Sequence, residues 1–302
     1  MTLTIGVLAT EHIAVGLVEG HRLVGALRRF PADESAADQL GGMPAQEIVA
    51  ALAEQIAAAA EGRDIAAVGV GFPGVIRDGV VEDSPNLHQV KGQKLRADLT
   101  ALLGARGFDA PVEIVHDADA LAAGLAATRA QLDRVIRVWA LMGNGVGFGR
   151  YPIAEGYWEG GHSVVTLDPK ENFCGCGGRG HLEGIMGNNA IRRRFLDLEP
   201  EEVFLQAREG DERCVAFVKL YHRALAAATA TNIHMEGPGQ FFISGPNARY
   251  VQLNLLEAYL HDMIKMSPLQ GSQLEIVSSS DQTVIVGAAV SAAQTAASAG
   301  DI

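Results

Sequence analysis

Between residues 162 and 181 the chain sets two histidines and two cysteines among glycines. His162 is followed by Cys174-Gly175-Cys176-Gly177-Gly178-Arg179-Gly180-His181. Two thiolates and two imidazoles are the donor set of a tetrahedral zinc site. The interleaved glycines let a short loop fold back so that the ligands converge. A packed core gains nothing from Cys and His alternating with Gly, so a metal-pinned loop is the expectation. Four protein ligands leave no open coordination position, which makes the zinc structural. Glu159 and Glu183 flank this loop. Carboxylates beside a closed knot have little freedom to move, which suits them to holding hydroxyl groups. Cys214 sits in a helical pattern with Val215 and Phe217 and reads as an inert core thiol.

The remaining composition narrows the class. The chain has 302 residues, 48% of them hydrophobic and 20% charged, enough for two lobes with their own cores. Its formal net charge is −12, and its longest basic cluster is Arg192-Arg193-Arg194, so no nucleic-acid partner is expected. Met1-Thr2-Leu3-Thr4 runs straight into a strand, from which no secretory leader is expected. Apolar runs such as 135–142 fall far short of the roughly 20 residues a membrane helix needs. Three cysteines, two of them one residue apart, argue against disulfides and for a reducing cytoplasm.

Periodicity gives the organisation. Residues 4–8, 12–18 and 22–27 read as an antiparallel meander, and 45–60 as a helix with Ile48, Leu52 and Ile56 on one stripe. A buried-type strand at 65–71 ends in Phe72-Pro73-Gly74; then come helix 95–103, strand 112–115 and helix 118–127. The pattern restarts with strand 135–142, a glycine-rich turn over 143–149 and a paired strand at 150–153. An irregular segment over 156–180 leads into helical patterns through 190–230. Strand 241–244, helix 250–266, strand 274–278 and a small-residue helix at 287–297 follow. Two α/β halves, each opening on a hairpin, predict an internally duplicated fold with lobes at 1–125 and 126–302. The last helix is free to pack back on the first lobe. Ligands in such folds gather at the carboxyl ends of strands, here in an interlobe cleft. Asp117 follows strand 112–115 and opens a helix, so the residues alone leave it between a helix N-cap and an acid–base group. Asp119 reads as a first-turn acid suited to the helix dipole. The alternating glycines at 143–149 read either as a plain hairpin turn or as a backbone cradle for phosphate.

On its motifs the chain resembles the ROK family of bacterial sugar kinases, repressors and related proteins. The family fingerprint pairs Glu-x-Gly-His with Cys-x-Cys-Gly-x-x-Gly-Cys-x-Glu. Here these stand as Glu159-Gly160-Gly161-His162 and Cys174 through Glu183, with His181 for the third cysteine. The resemblance implies an α/β, two-lobed actin-like ATPase fold of the hexokinase and ribonuclease H-like type. Gly71-Phe72-Pro73-Gly74 is similar to the family's loop under the sugar, and Ser84-Pro85-Asn86-Leu87 to its Pro-Asn-Leu element. His116-Asp117-Ala118-Asp119-Ala120 is similar to its Asn-Asp-Ala-Asn-Ala element, which implies Asp117 as general base. Gly74, Asn86, His116, Glu159, His162 and Glu183 are implied as sugar-binding residues. Gly143-Asn144-Gly145-Val146-Gly147 resembles the phosphate loop, and Gly245 the adenosine-side glycine cluster. Zinc held by His162, Cys174, Cys176 and His181, together with ATP and Mg²⁺, is implied, as is a homodimer to which the helices of 190–230 could lend a surface.

One motif departs. Val7-Leu8-Ala9-Thr10-Glu11-His12 stands where the family's kinases carry Asp-x-Gly-Gly-Thr-Lys, and of that motif only turn propensity and the Thr10 hydroxyl remain. Asn144 replaces Thr, Ser244-Gly245-Pro246 replaces a glycine run, and His116 replaces Asn. The sugar half is preserved and the ATP half eroded. The leading expectation is an ATP-dependent hexokinase acting on glucose or a relative such as N-acetylglucosamine, mannose or allose. The alternative is a sugar-binding pseudokinase or sensor without a nucleotide site. An acid–base pair of Asp117 with His116 is a third, less favoured because adjacent side chains more often point apart. A repressor would need a helix-turn-helix ahead of the first strand, where none is expected.

Overall fold

The computed structural model describes residues 2–32, 39–85, 87–154, 156, 159–278 and 280–300, the side chains of 299 and 300 excepted. By packing, the chain divides into two units. The first comprises 1–136, 149–157 and 280–302, and the second 137–148 and 158–279.

The first unit opens with β1 (Leu3–Ala9), β2 (Ile13–Glu19) and β3 (Arg22–Phe30), paired antiparallel in sequence order. α1 (Ala45–Ala60) follows, with Ile48, Leu52 and Ile56 all fully buried, as their spacing predicts. β4 (Val68–Phe72) pairs parallel to β1. A small hairpin of β5 (Val75–Arg77) and β6 (Val80–Asp83) precedes α2 (Leu95–Gly104). β7 (Val112–His116) then pairs parallel to β4 and leads directly into α3 (Asp117–Thr128). The sheet order is β3-β2-β1-β4-β7.

β8 (Ile136–Met142) and β9 (Gly145–Tyr151) are joined by a two-residue turn and open the second unit, with Ile136 and Gly149–Tyr151 counted in the first. The predicted turn over 143–149 is therefore shortened to Gly143-Asn144. The later glycines belong to β9, and at Gly149 the missing side chain admits the Ala118 carbonyl oxygen, 1.9 Å from where a methyl would sit. α4 (Glu183–Met186) and α5 (Asn188–Arg194) follow the long loop. The helical run after 190 is three helices, continuing with α6 (Pro200–Glu209) and α7 (Glu212–Glu236). Pro200 starts one and Gly210, at φ +95°, ends it. β10 (Gln240–Ser244), α8 (Leu253–Met263) and β11 (Gln273–Ile276) complete a sheet ordered β11-β10-β8-β9. Its core is aromatic, with the Phe204 and Tyr250 rings stacked at 4.1 Å and Phe195, Phe217 and Tyr221 packed edge-on around them.

The chain closes in the first unit with α9 (Asp281–Gly300), which starts six residues ahead of the predicted 287. Its small residues let it lie hard against the sheet and α3. A methyl added at Gly287 would sit 1.7 Å from the Ala120 carbonyl oxygen. No helix among the described residues is long and apolar enough to cross a membrane.

Candidate active site and metal centre

In the second unit the irregular loop is zipped at its neck. Val164 bridges His181, the Val165 amide donates to the Gly180 carbonyl at 2.8 Å, and the Leu182 amide donates to Ser163 at 3.0 Å. His162 ends a 3-10 turn (Gly160–His162) that lies flat on β9. A side chain at Gly161 would meet the Val146 carbonyl oxygen at 1.9 Å, which explains the two glycines before the histidine. The loop thus brings together the four residues that the sequence singles out.

Their ligand atoms all lie within 4.8 Å of one another. Cys174 Sγ is 3.5 Å from His162 Nδ1 and 3.4 Å from Cys176 Sγ, which is 3.3 Å from His181 Nδ1. A tetrahedral shell with zinc–sulfur about 2.3 Å and zinc–nitrogen about 2.0–2.1 Å has edges of about 3.3–3.8 Å. The cluster fits zinc in donor type, number and spacing. The Gly178 amide points at Cys176 Sγ at 3.3 Å, and a methyl at that glycine would strike the His181 ring at 2.0 Å. Burial pushes the Cys174 thiol up to about 12 against the backbone hydrogen bond from Cys176, with the Cys176 side chain and the charge of Glu183 acting in the same direction as burial. Burial, aided by His162 and opposed by the charge of Glu183, lowers His181, which favours the neutral imidazole that ligates metal.

Glu183 opens α4 two residues after the last ligand. Its Oε2 accepts from the Val146 amide at 3.2 Å and its Oε1 is 3.6 Å from Cys174 Sγ, so one carboxylate joins the cluster to β9. Glu159 immediately precedes the His162 turn, and its carbonyl accepts from the His162 amide at 2.9 Å.

Another convergence in this unit surrounds the β8–β9 turn. The Gly143 carbonyl accepts from the Asn188 amide at 2.9 Å and from Asn247 Nδ2 at 3.0 Å. Asn247 also donates to Asn188 Oδ1 at 2.8 Å. Gly245, at φ +96°, brings the end of β10 against Leu141, where a methyl would lie 2.5 Å from the carbonyl oxygen. Gly143, Asn144 and Gly245 are therefore neighbours, while Gly145 and Gly147 sit within β9. Sequence reasoning missed Asn188, the first of an Asn-Asn pair, and Asn247, neither of which a local motif distinguishes.

In the first unit β1, β4 and β7 run parallel side by side, with Leu8 opposite Gly71 and Phe72 opposite His116. Thr10, Gly74 and Asp117 each lie just past the carboxyl end of one of these strands, where open α/β sheets collect ligands. Gly74 adopts φ +104°, with no room for a side chain beside the Asp83 carbonyl. Asn86 lies outside the described residues. Asp117 Oδ1 accepts from the Ala118 amide at 2.8 Å and meets His116 Nε2 at 3.2 Å. Adjacent side chains were expected to point apart. They meet instead at the junction where the extended chain at His116 gives way to α3. Asp119 is buried and does more than suit the helix dipole: its Oδ1 accepts the Arg150 amide at 2.8 Å. Burial raises its carboxyl, against the pull of His116 and Arg150.

At the motif that departs, Val7 is fully buried in the sheet core. His12, where the motif has Lys, meets Asp281 Oδ2 at 3.1 Å, and Arg29 donates to the same oxygen at 2.5 Å. Burial would raise the Asp281 carboxyl, but the hydrogen bonds from Arg29 and His12 outweigh it and hold the group below its usual range. The sequence carries no signal for this trio, in which the meander residues His12 and Arg29 meet an acid 269 residues from His12.

The sequence matches the ROK family over residues 32–295. It is 30% identical over 267 residues to a glucokinase of Pyrobaculum calidifontis, covering 82% of this chain and 84% of the relative. An N-acetylmannosamine kinase of Haemophilus influenzae is 28% identical over 207 residues, 65% of this chain and 67% of that protein. Among solved structures, the ROK hexokinase of Thermus thermophilus superposes with a TM-score of 0.80 at 23% identity, covering 98% of this chain and all of the other. With its two larger sheets, its Cys/His loop and a match that spans most of its length, the chain belongs to the ROK family and has the actin-like ATPase fold.

Proposed function

We propose that the protein is a sugar kinase that transfers the γ-phosphoryl group of ATP to a hydroxyl of glucose or a closely related hexose. The observation that carries this reading is Glu183, a carboxylate wedged between a four-ligand metal cluster and β9. The 30% identity to a glucokinase supports it.

In this reading Glu159, His162 and Glu183 bind sugar hydroxyls, together with Asn86 and His116 and the Gly74 backbone. His162 turns Nδ1 toward Cys174, which leaves Nε2 as a donor for a hydroxyl. His162, Cys174, Cys176 and His181 would hold zinc, which would order the loop and take no part in bond making. Asp117 accepts the hydroxyl proton while the sugar oxygen attacks the γ-phosphorus and ADP leaves. The Ala118 amide and His116, both on Oδ1, orient that carboxylate. Backbone groups at Gly143, Asn144, Gly145 and Gly147, with Thr10 and Gly245, face the nucleotide. Mg²⁺ bound with the ATP phosphates would neutralise their charge, and Val7 offers no carboxylate to help hold it.

A coupled ADP-release assay across a hexose panel tests the proposal. Turnover with at least one hexose is expected, reduced about 10²–10⁴-fold by Asp117→Asn. No turnover with any sugar, or an unaltered Asp117→Asn, would overturn it. Calorimetry that finds sugar binding and no nucleotide binding would identify a sensor instead.

A further inference from the structure

Arg194 closes α5 at the end opposite Asn188, and its guanidinium forks onto both carboxylate oxygens of Glu171. The plane of the fork covers the Phe173 ring at 4.5 Å and the Phe217 ring of α7 at 5.4 Å. The pair is shielded, with side-chain exposures of 18% for Arg194 and 9% for Glu171. Glu171 and Phe173 belong to the metal loop and directly precede Cys174. The Glu171 carbonyl also accepts from the Gly180 amide at 2.6 Å, next to His181. One guanidinium therefore grips the loop at the point from which both the cysteine and the histidine ends of the ligand set depart. A shielded ion pair gives little stability over an apolar pair of the same shape, whereas its planar fork fixes orientation.

We propose that Arg194 is a positioning residue for the metal centre. By holding Glu171 and Phe173 against α5 and α7, it presents Cys174, Cys176 and His181 together, and through that loop it keeps Glu183 in register. Only the consequence for sugar rests on the kinase reading; the consequence for metal does not.

The test follows zinc release from the loaded, full-length protein to a chromogenic chelator, with circular dichroism as a check on folding. Arg194→Met leaves Glu171 buried without its fork, so Arg194→Lys and the double variant Glu171→Gln/Arg194→Met accompany it. Release about 10–100-fold faster than wild type is expected from every folded variant, as for loss of an outer-shell partner. The sugar KM should rise while kcat at saturating sugar stays near wild type. Should Arg194→Met fail to fold, the other two decide. Folded Arg194→Lys and double variants that release zinc at the wild-type rate, even with lowered melting temperatures, would overturn the proposal. A wild type that retains zinc and turns over no sugar would end the kinase reading while leaving the release rates to judge Arg194. A wild type without zinc would end both.

Discussion

Glu183 accepts the Val146 amide on one carboxylate oxygen and brings the other to 3.6 Å from Cys174 Sγ. The same side chain therefore senses the metal cluster and the strand that follows the glycine turn. Glu183→Gln keeps an acceptor for Val146 but removes the charge that would receive a sugar hydroxyl. Hydrogen bonds to charged groups contribute about 1.5–3 kcal/mol, so the sugar KM should rise about 10–100-fold with zinc content unchanged. Steady-state kinetics alongside elemental analysis checks this; an unchanged KM would remove Glu183 from the sugar site.

Gly287 of α9 faces the Ala120 carbonyl and the Gly124 amide of α3, at 1.7 Å and 2.4 Å from an added methyl. Neither neighbour is a flexible side chain, so the helices must separate to admit it. Gly287→Ala should lower stability by about 1–3 kcal/mol, read as a shift of the urea midpoint. A midpoint equal to wild type would mean that α3 and α9 are less tightly seated than described.

Burial lifts the Asp119 carboxyl above its ordinary 3.8 although the Arg150 amide donates to it. A group whose folded pKa is raised adds stability that is complete below the unfolded value and is lost as pH climbs through the folded one. Asp119→Asn keeps the acceptor and buries no charge. Wild-type stability should therefore fall relative to Asp119→Asn as pH rises from 3.8 toward neutrality. Urea midpoints of both proteins between pH 4 and pH 8 are the measurement, and parallel curves would speak against a costly buried charge.

His222 of α7 is buried, with Nδ1 donating to the Val218 carbonyl at 2.7 Å and Nε2 accepting the Gln252 amide at 2.8 Å. Both roles together require the neutral ring. Burial lowers its pKa below 6.5, outweighing the hydrogen bond to Val218. The unfolded chain takes up the proton first, so stability is complete above 6.5 and is lost below it toward the folded value. The slope is at most about 1.4 kcal/mol per pH unit. Thermal unfolding from pH 7 to pH 5 should be steeper for wild type than for His222→Gln; equal slopes would assign the acid sensitivity elsewhere.

The sequence alone specified what is written in short-range pattern. The stripe of Ile48, Leu52 and Ile56, the alternating β1–β3 meander and the Cys/His set within one loop are each written as a motif in one continuous stretch of chain, and all three stand in the structure. The glycine run after 143 was legible only in part. Gly149 is small because the Ala118 carbonyl would lie 1.9 Å from a side chain there, a requirement set by another element rather than by a turn. Tertiary structure alone decided the contacts between distant segments, such as His12 with Asp281 across 269 residues and Arg194 with Glu171. The physical reason is one of range. Periodicity and ligand chemistry are carried by residues close in the chain, whereas the partner of a charged side chain is chosen by how the helices and strands pack.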